Sequence, residues 1–190
     1  MTQAVLLPDL VRIAADRTPG ASALSCAGAA LDYASLNEAI EAFAGAVVRL
    51  GLRRGERVAV FLEKRIEAVV ATFGTAAAGA VFVPINPILK PAQVAYILRD
   101  CDVRILVTSG ERARLAKDAI MDCPELGQLV LVDADPALAW PSHTAISSWS
   151  ALIDARASGG HRVIDSDVLA ILYTSGSTGK PKGVVLSHRN

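Results

Sequence analysis

At 190 residues, 52% apolar and 20% charged, the chain can bury the core of one domain or of a large piece of a bigger one, which excludes a disordered protein. Nineteen Lys and Arg balance nineteen Asp and Glu, so no bulk field draws nucleic acid or an anionic membrane surface. Cys26, Cys101 and Cys123, odd in number and without a Cys-x-x-Cys pair, give neither a zinc knuckle nor a disulfide framework, and read as reduced, buried thiols of a cytoplasmic protein.

The amino terminus has no basic leader, and Asp9 interrupts its first apolar stretch, which argues against a signal peptide. A helix is expected over 6–17, with Leu6, Leu10, Ile13 and Ala14 on one face, stopped by Thr18-Pro19-Gly20. Short strands follow over 23–26 and 30–33, with Ala27-Gly28 as a tight turn between them. Ser35 and Glu38 have capping-box spacing. Leu36, Ile40, Phe43, Val47 and Leu50 then recur at helical intervals up to Gly51, a suitable carboxyl cap. A strand over 57–62, a helix over 65–78 and a strand over 81–85 come next.

From Ala68 to Leu89 there is no charge, a length that could cross a bilayer. The segment is rich in Ala and holds Gly74, Gly79, Pro84 and Pro87, so it reads as a buried helix followed by a buried strand rather than a transmembrane segment. The alternation continues with a helix from Pro91 to Arg99, a strand over 104–108, a helix over 111–120 and a strand over 128–132. Residues 133–147 read as a surface excursion and 149–155 as a short helix. A strand over 168–173, a polar loop over 174–182 and a strand over 183–187 close the chain. This order predicts an α/β fold with a largely parallel sheet flanked by helices, incomplete at its carboxyl-terminal end.

The loop carries the chemistry. Gly176 and Gly179 let backbone amides turn inward, Thr174, Ser175, Ser177 and Thr178 offer hydroxyls, and Lys180 and Lys182 add positive charge. That combination suits a polyphosphate. It is not a Walker loop, because two residues rather than four separate the glycines and Pro181 follows Lys180. A solvated hairpin tip is the plainer reading of any Ser/Gly loop, and here the order of residues decides against it.

From Tyr173 to Val184 the chain resembles, at every position, the phosphate-binding signature of the adenylate-forming (AMP-binding) superfamily of acyl-CoA synthetases, peptide-synthetase adenylation domains and luciferases. Residues 31–36 and 78–87 are similar to two earlier elements of that family, so the likeness spans nearly the whole chain. Asn86, followed by Ile88-Leu89-Lys90-Pro91, resembles the acyl-CoA ligase branch more than amino-acid-activating domains. The runs 83–109 and 163–190 look similar to exosortase-associated acyl-CoA ligases of bacteria.

The resemblance implies that a carboxylate attacks the α-phosphate of ATP, giving acyl-AMP and pyrophosphate, and that a thiol, usually coenzyme A, then displaces AMP. It implies that Thr174, Ser175, Gly176, Ser177, Thr178, Gly179 and Lys180 hold the β and γ phosphates, with Lys182 as the catalytic cation. It also implies that the Mg²⁺ ligands, the ribose site, the acyl pocket and a mobile carboxyl-terminal domain lie beyond residue 190, leaving the 190 residues as an inactive N-terminal portion of the AMP-binding domain. The alternatives are a carrier-protein thiol in place of coenzyme A, an unrelated nucleotide binder with a chance loop, and a catalytically incomplete binding fragment. His188, His143 and His161, Trp140 and Trp149, Asp165 and Asp167, and the turn Glu63-Lys64-Arg65 all read as structural or solvated.

Overall fold

The computed structural model describes residues 4–133, 140, 144–154, 159–174 and 181–190. Helix α1 (Asp9–Arg17) is followed by the antiparallel hairpin of β1 (Ser22–Cys26) and β2 (Ala29–Asp32). Positive φ angles of 50° at Ala27 and 84° at Gly28 make its two-residue turn. Helix α1 turns Val11 inward and leaves Leu10 56% exposed, so its buried stripe is rotated from the one the spacing suggested. Helix α2 (Tyr33–Arg49) is capped by Asp32, whose carboxylate accepts the Ser35 amide at 2.8 Å. The cap therefore lies three residues earlier than the Ser35 box, because Asp32 holds the same amide from an extended backbone. Gly51, at φ 89°, follows the helix as expected.

Seven strands form the main sheet in the order β7-β6-β5-β3-β4-β8-β9. These are β3 (Arg57–Phe61), β4 (Val81–Pro84), β5 (Val103–Thr108), β6 (Gln128–Leu131), β7 (Ala145–Ser148), β8 (Val168–Thr174) and β9 (Lys182–Ser187). Every pair is parallel except β8 with β9. Helices α3 (Ile66–Ala77), α4 (Pro91–Asp100), α5 (Gly110–Ile120) and α6 (Trp149–Asp154) complete the set. The pleat sends Val58, Val60, Ile105, Val107 and Val130 into a core with α2 and α3. It sends Ala59, Phe61, Leu106, Leu129 and Leu131 into a second core with α4 and α5. Burial on both faces explains why these strands read as unbroken apolar runs.

Strand β7 belongs to the stretch read as a surface excursion. Its sequence, Ala-Ile-Ser-Ser, carries little apolar signal, and only its pairing with β6 makes it a strand. Residues 134–139 and 141–143, His143 among them, lie outside the described residues, as do 155–158. Trp149 stacks on Phe43 with ring centroids 5.2 Å apart, and Trp140 packs against the second core, so both tryptophans are packing anchors.

The amino edge of the sheet is closely stitched. His161 is no solvated loop residue: its Nε2 meets the Leu52 carbonyl at 2.9 Å and its amide donates to Ala78 at 3.1 Å. A Cβ at Gly160 would collide with the Ala77 carbonyl. The Gly55 amide donates to Gly79 at 2.9 Å, and Arg54 pairs with Asp167. Asp167 also accepts the Ile164 amide, which caps the turn before β8, and Asp165 pairs with Arg189. On the far side β9 forms an outer edge, with Val184 and Val185 exposed. No helix among the described residues is long and apolar enough to cross a membrane, and the charge-free segment 68–89 is helix α3 and strand β4.

Candidate functional site

Thr174 ends β8 and Lys182 opens β9, and the two face each other in the antiparallel ladder, with Tyr173 opposite Gly183 one pair below. Both Thr174 and Lys182 are exposed. Ser175, Gly176, Ser177, Thr178, Gly179 and Lys180 lie outside the described residues, so the structure supplies the stem of the expected phosphate loop and not its tip. Because β8 runs parallel to β4, this stem rises from the carboxyl edge of the parallel strands. That edge is where ligands collect in open α/β sheets.

Helix α4 lies beneath the stem. The Tyr173 hydroxyl donates to the carboxylate of Asp100, the last residue of α4, and meets the Cys101 thiol at 3.1 Å. The Tyr96 hydroxyl, one turn earlier on α4, donates to the Pro181 carbonyl at 3.4 Å. Burial first, and then the Asp100 hydrogen bond, push the Tyr173 phenol above its ordinary value of 10.0. Burial likewise raises Cys101 and Cys123 above 9.0, so neither is a ready thiolate, whereas Cys26, expected to be buried, is only partly so because it lies on the β1–β2 hairpin.

The sheet also has a switch point. The loop after β3 leads to α3 on one face, and the loop after β4 leads to α4 on the other. Between them opens a cleft of about 790 Å³ with Leu62, Phe73 and Pro84 in its wall and Glu63, Arg65 and Asn86 at its polar rim. The rim is organised rather than a solvated turn. Arg112, on the first turn of α5, pairs with Glu63, donates to the Pro87 carbonyl at 2.6 Å and lies 5.0 Å above the Phe61 ring. That pairing holds the Glu63 carboxyl below its ordinary 4.5. Arg65 binds Glu67 at 2.8 Å and Asp133 at 3.2 Å, which keeps Glu67 below 4.5 as well. Sequence reasoning missed Arg112, since its partners are 25 and 49 positions away and no local pattern marks it.

His188 is a structural residue: its Nδ1 accepts the Leu7 amide at 3.1 Å, and burial lowers its pKa below 6.5. Among the described residues no three His, Cys, Asp or Glu side chains are grouped to hold a metal ion, so none is assigned to Mg²⁺. For a polyphosphate, the described stem presents a hydroxyl and an ammonium side by side at the exposed edge, which fits an oxyanion.

Comparison with known proteins follows the same lines. The family described as AMP-binding enzyme matches residues 11–190. A crotonobetaine/carnitine–CoA ligase of Salmonella typhi is 36% identical over 173 residues, covering 87% of this chain and 32% of that protein. An isonitrile lipopeptide synthase of Mycobacterium tuberculosis is 33% identical over 187 residues, covering 98% of this chain and 6% of that protein. The crystal structure of an anthranilate CoA ligase in complex with anthranoyl-AMP superposes with a TM-score of 0.82 at 27% identity, over 94% of this chain and 34% of that one. The chain thus spans about a third of the length of the Salmonella relative.

Proposed function

Because the chain belongs to the AMP-binding enzyme family, with acyl-CoA ligases among its relatives, we propose that it is the phosphate-gripping first part of an ATP-dependent acid–thiol ligase. The observation that carries this reading is the unbroken signature from Tyr173 to Val184, whose stem rises at the carboxyl edge of the sheet. In the proposed reaction a carboxylate oxygen attacks the α-phosphorus of ATP. The bond to the bridging oxygen breaks, and pyrophosphate leaves with the negative charge. The Thr174 hydroxyl, the loop residues 175–180 and the Lys182 ammonium stabilise that charge as it develops. Mg²⁺, when bound with ATP, neutralises part of the same charge. Coenzyme A sulfur then attacks the acyl carbon and AMP departs.

On this reading residues 1–190 are the first portion of an AMP-binding domain, and by themselves they do not turn over substrate. The remaining two-thirds, present in the relatives, would supply the adenosine site, the acyl pocket and the mobile carboxyl-terminal domain. Dependence on ATP and coenzyme A supports a cytoplasmic location. Asn86 and the absence of a following Tyr-Pro favour coenzyme A as acceptor. The likeness of nearly the whole chain to a lipopeptide synthase sustains a carrier-protein thiol as the second reading. The runs 83–109 and 163–190 support a place among exosortase-associated acyl-CoA ligases.

The test joins this chain to the following two-thirds of the Salmonella ligase and compares Lys182 with Lys182→Ala. ATP–pyrophosphate exchange should fall at least tenfold, while thioester formation from preformed acyl-AMP stays within about twofold, because the loop holds the group that leaves in the first step. Equal losses in both half-reactions would overturn the assignment of Lys182.

A further inference from the structure

Tyr173 opens the phosphate signature, and its side chain packs on the sheet face that α4 covers. It lies with Ile171 against the second core, and its hydroxyl reaches the end of α4. Resting on the reading above, we infer that Tyr173 is a positioning residue: with Asp100 and Tyr96 it clamps both limbs of the phosphate loop onto helix α4.

The two attachments are placed symmetrically. Tyr173 immediately precedes Thr174, and Pro181 immediately precedes Lys182, so each limb is held one residue before a side chain that the proposed function assigns to the phosphates. Tyr96 and Asp100 stand four residues apart on α4, which puts them on one helical face. Asp100 occupies a position that α-helices disfavour for an acid, because the helix dipole is negative at that end. Its carboxylate is instead used as the acceptor for the phenol.

The platform is itself pinned. The Arg57 guanidinium donates to the Cys101 carbonyl and, at 2.8 Å, to the Asp102 carbonyl, tying the end of α4 to the start of β3. Burial keeps the Tyr173 phenol protonated, and so a donor, across the physiological range. Gly183 completes the arrangement. A Cβ there would sit 3.3 Å from Tyr173 Cζ and 3.4 Å from its hydroxyl oxygen, so the glycine gives the ring room to lie across the ladder. A loop whose two ends are fixed loses less conformational freedom when phosphate arrives, and the affinity gained comes from that preorganisation.

The experiment titrates inorganic tripolyphosphate by calorimetry into this chain joined to the following two-thirds of the Salmonella ligase, alongside thermal unfolding. Tyr173→Phe and Asp100→Ala should each weaken binding about tenfold with a change in Tm below 2 °C. The double variant should be no weaker than either single one, since both remove the same bond. Asp100→Asn, which keeps an acceptor oxygen, should recover most of the affinity. Unchanged affinity in both single variants, or losses that multiply in the double, would overturn the clamp. If Tyr173→Phe fails to fold, the Asp100→Ala and Asp100→Asn pair decides, equal binding by the two being the refuting result. A wild-type fusion with no saturable tripolyphosphate binding would sink the functional reading itself, which separates the two failures.

Discussion

Replacing Gly183 with Ala tests the packing beneath the phosphate loop, because the backbone there is not in the left-handed region and only contact opposes a methyl group. The added Cβ would stand 2.8 Å from Ile171 Cγ2. Carbon atoms prefer about 3.5–4.0 Å, so the overlap is close to 1 Å. Relief requires Ile171 to leave its rotamer, at about 0.5–1.5 kcal/mol, or the β8–β9 pair to spread, and overpacking of this kind costs about 1–3 kcal/mol. Ala also narrows the unfolded ensemble relative to Gly, which offsets about 0.4–1 kcal/mol. The net destabilisation is about 1–2 kcal/mol, or about 2–8 °C in Tm for a chain of this size. Because Ile171 is the contact, Gly183→Ala and Ile171→Ala should combine to less than the sum of their separate costs. The assay is thermal unfolding of the four members of that cycle. A Gly183→Ala Tm within 1 °C of wild type, or strict additivity with Ile171→Ala, would refute the packing argument.

Asp32→Ala should destabilise the chain by about 1 kcal/mol through loss of the α2 cap, whereas Glu38→Ala, on the exposed face, should stay within about 0.5 kcal/mol; equilibrium unfolding in urea measures both. The His188 pKa is lowered on folding, so below about pH 6.5 the unfolded chain binds a proton that the folded ring resists. Stability is therefore full above that pH and is lost as pH falls toward the lowered folded value. His188→Asn, which still offers Leu7 an acceptor, should flatten Tm between pH 7 and 5. Val185→Lys should reduce concentration-dependent self-association in sedimentation velocity, since it places a charge on an exposed apolar edge strand.

Much of the architecture was legible in local pattern. Val58-Ala59-Val60 and Leu106-Val107 are buried on both faces, and their unbroken apolar character betrays strands of a parallel sheet. Strands β8 and β9 were legible as apolar runs on either side of the polar segment 174–182. What escaped was set by contacts between distant segments. Two capping patterns overlap at residues 32–38, and only the backbone of Asp32 decides between them. Strand β7 has no apolar alternation of its own and is defined by β6. His161 reads as a polar loop residue until the α3–β4 turn closes over it, and Arg112 becomes meaningful only when the ends of β3 and β4 converge.

The stitching of the amino edge has a consequence for how this protein could be altered. Gly160 against Ala77, His161 against Leu52 and Arg54 against Asp167 hold the strands at the end opposite the cleft. The rim of the cleft at 63–65 and 84–87 lies at the other end, where β3 and β4 finish. The contacts of the amino edge and the exposed rim of the cleft are thus encoded in different stretches of sequence. Randomised libraries confined to the exposed rim positions Lys64, Pro84 and Asn86, leaving the buried Leu62 and Ile85 and the Arg112 anchor Glu63 intact, could vary the chemistry of the cleft while most members retain the fold, whereas the same diversity spent on 52–55 or 159–163 would return chiefly misfolded clones.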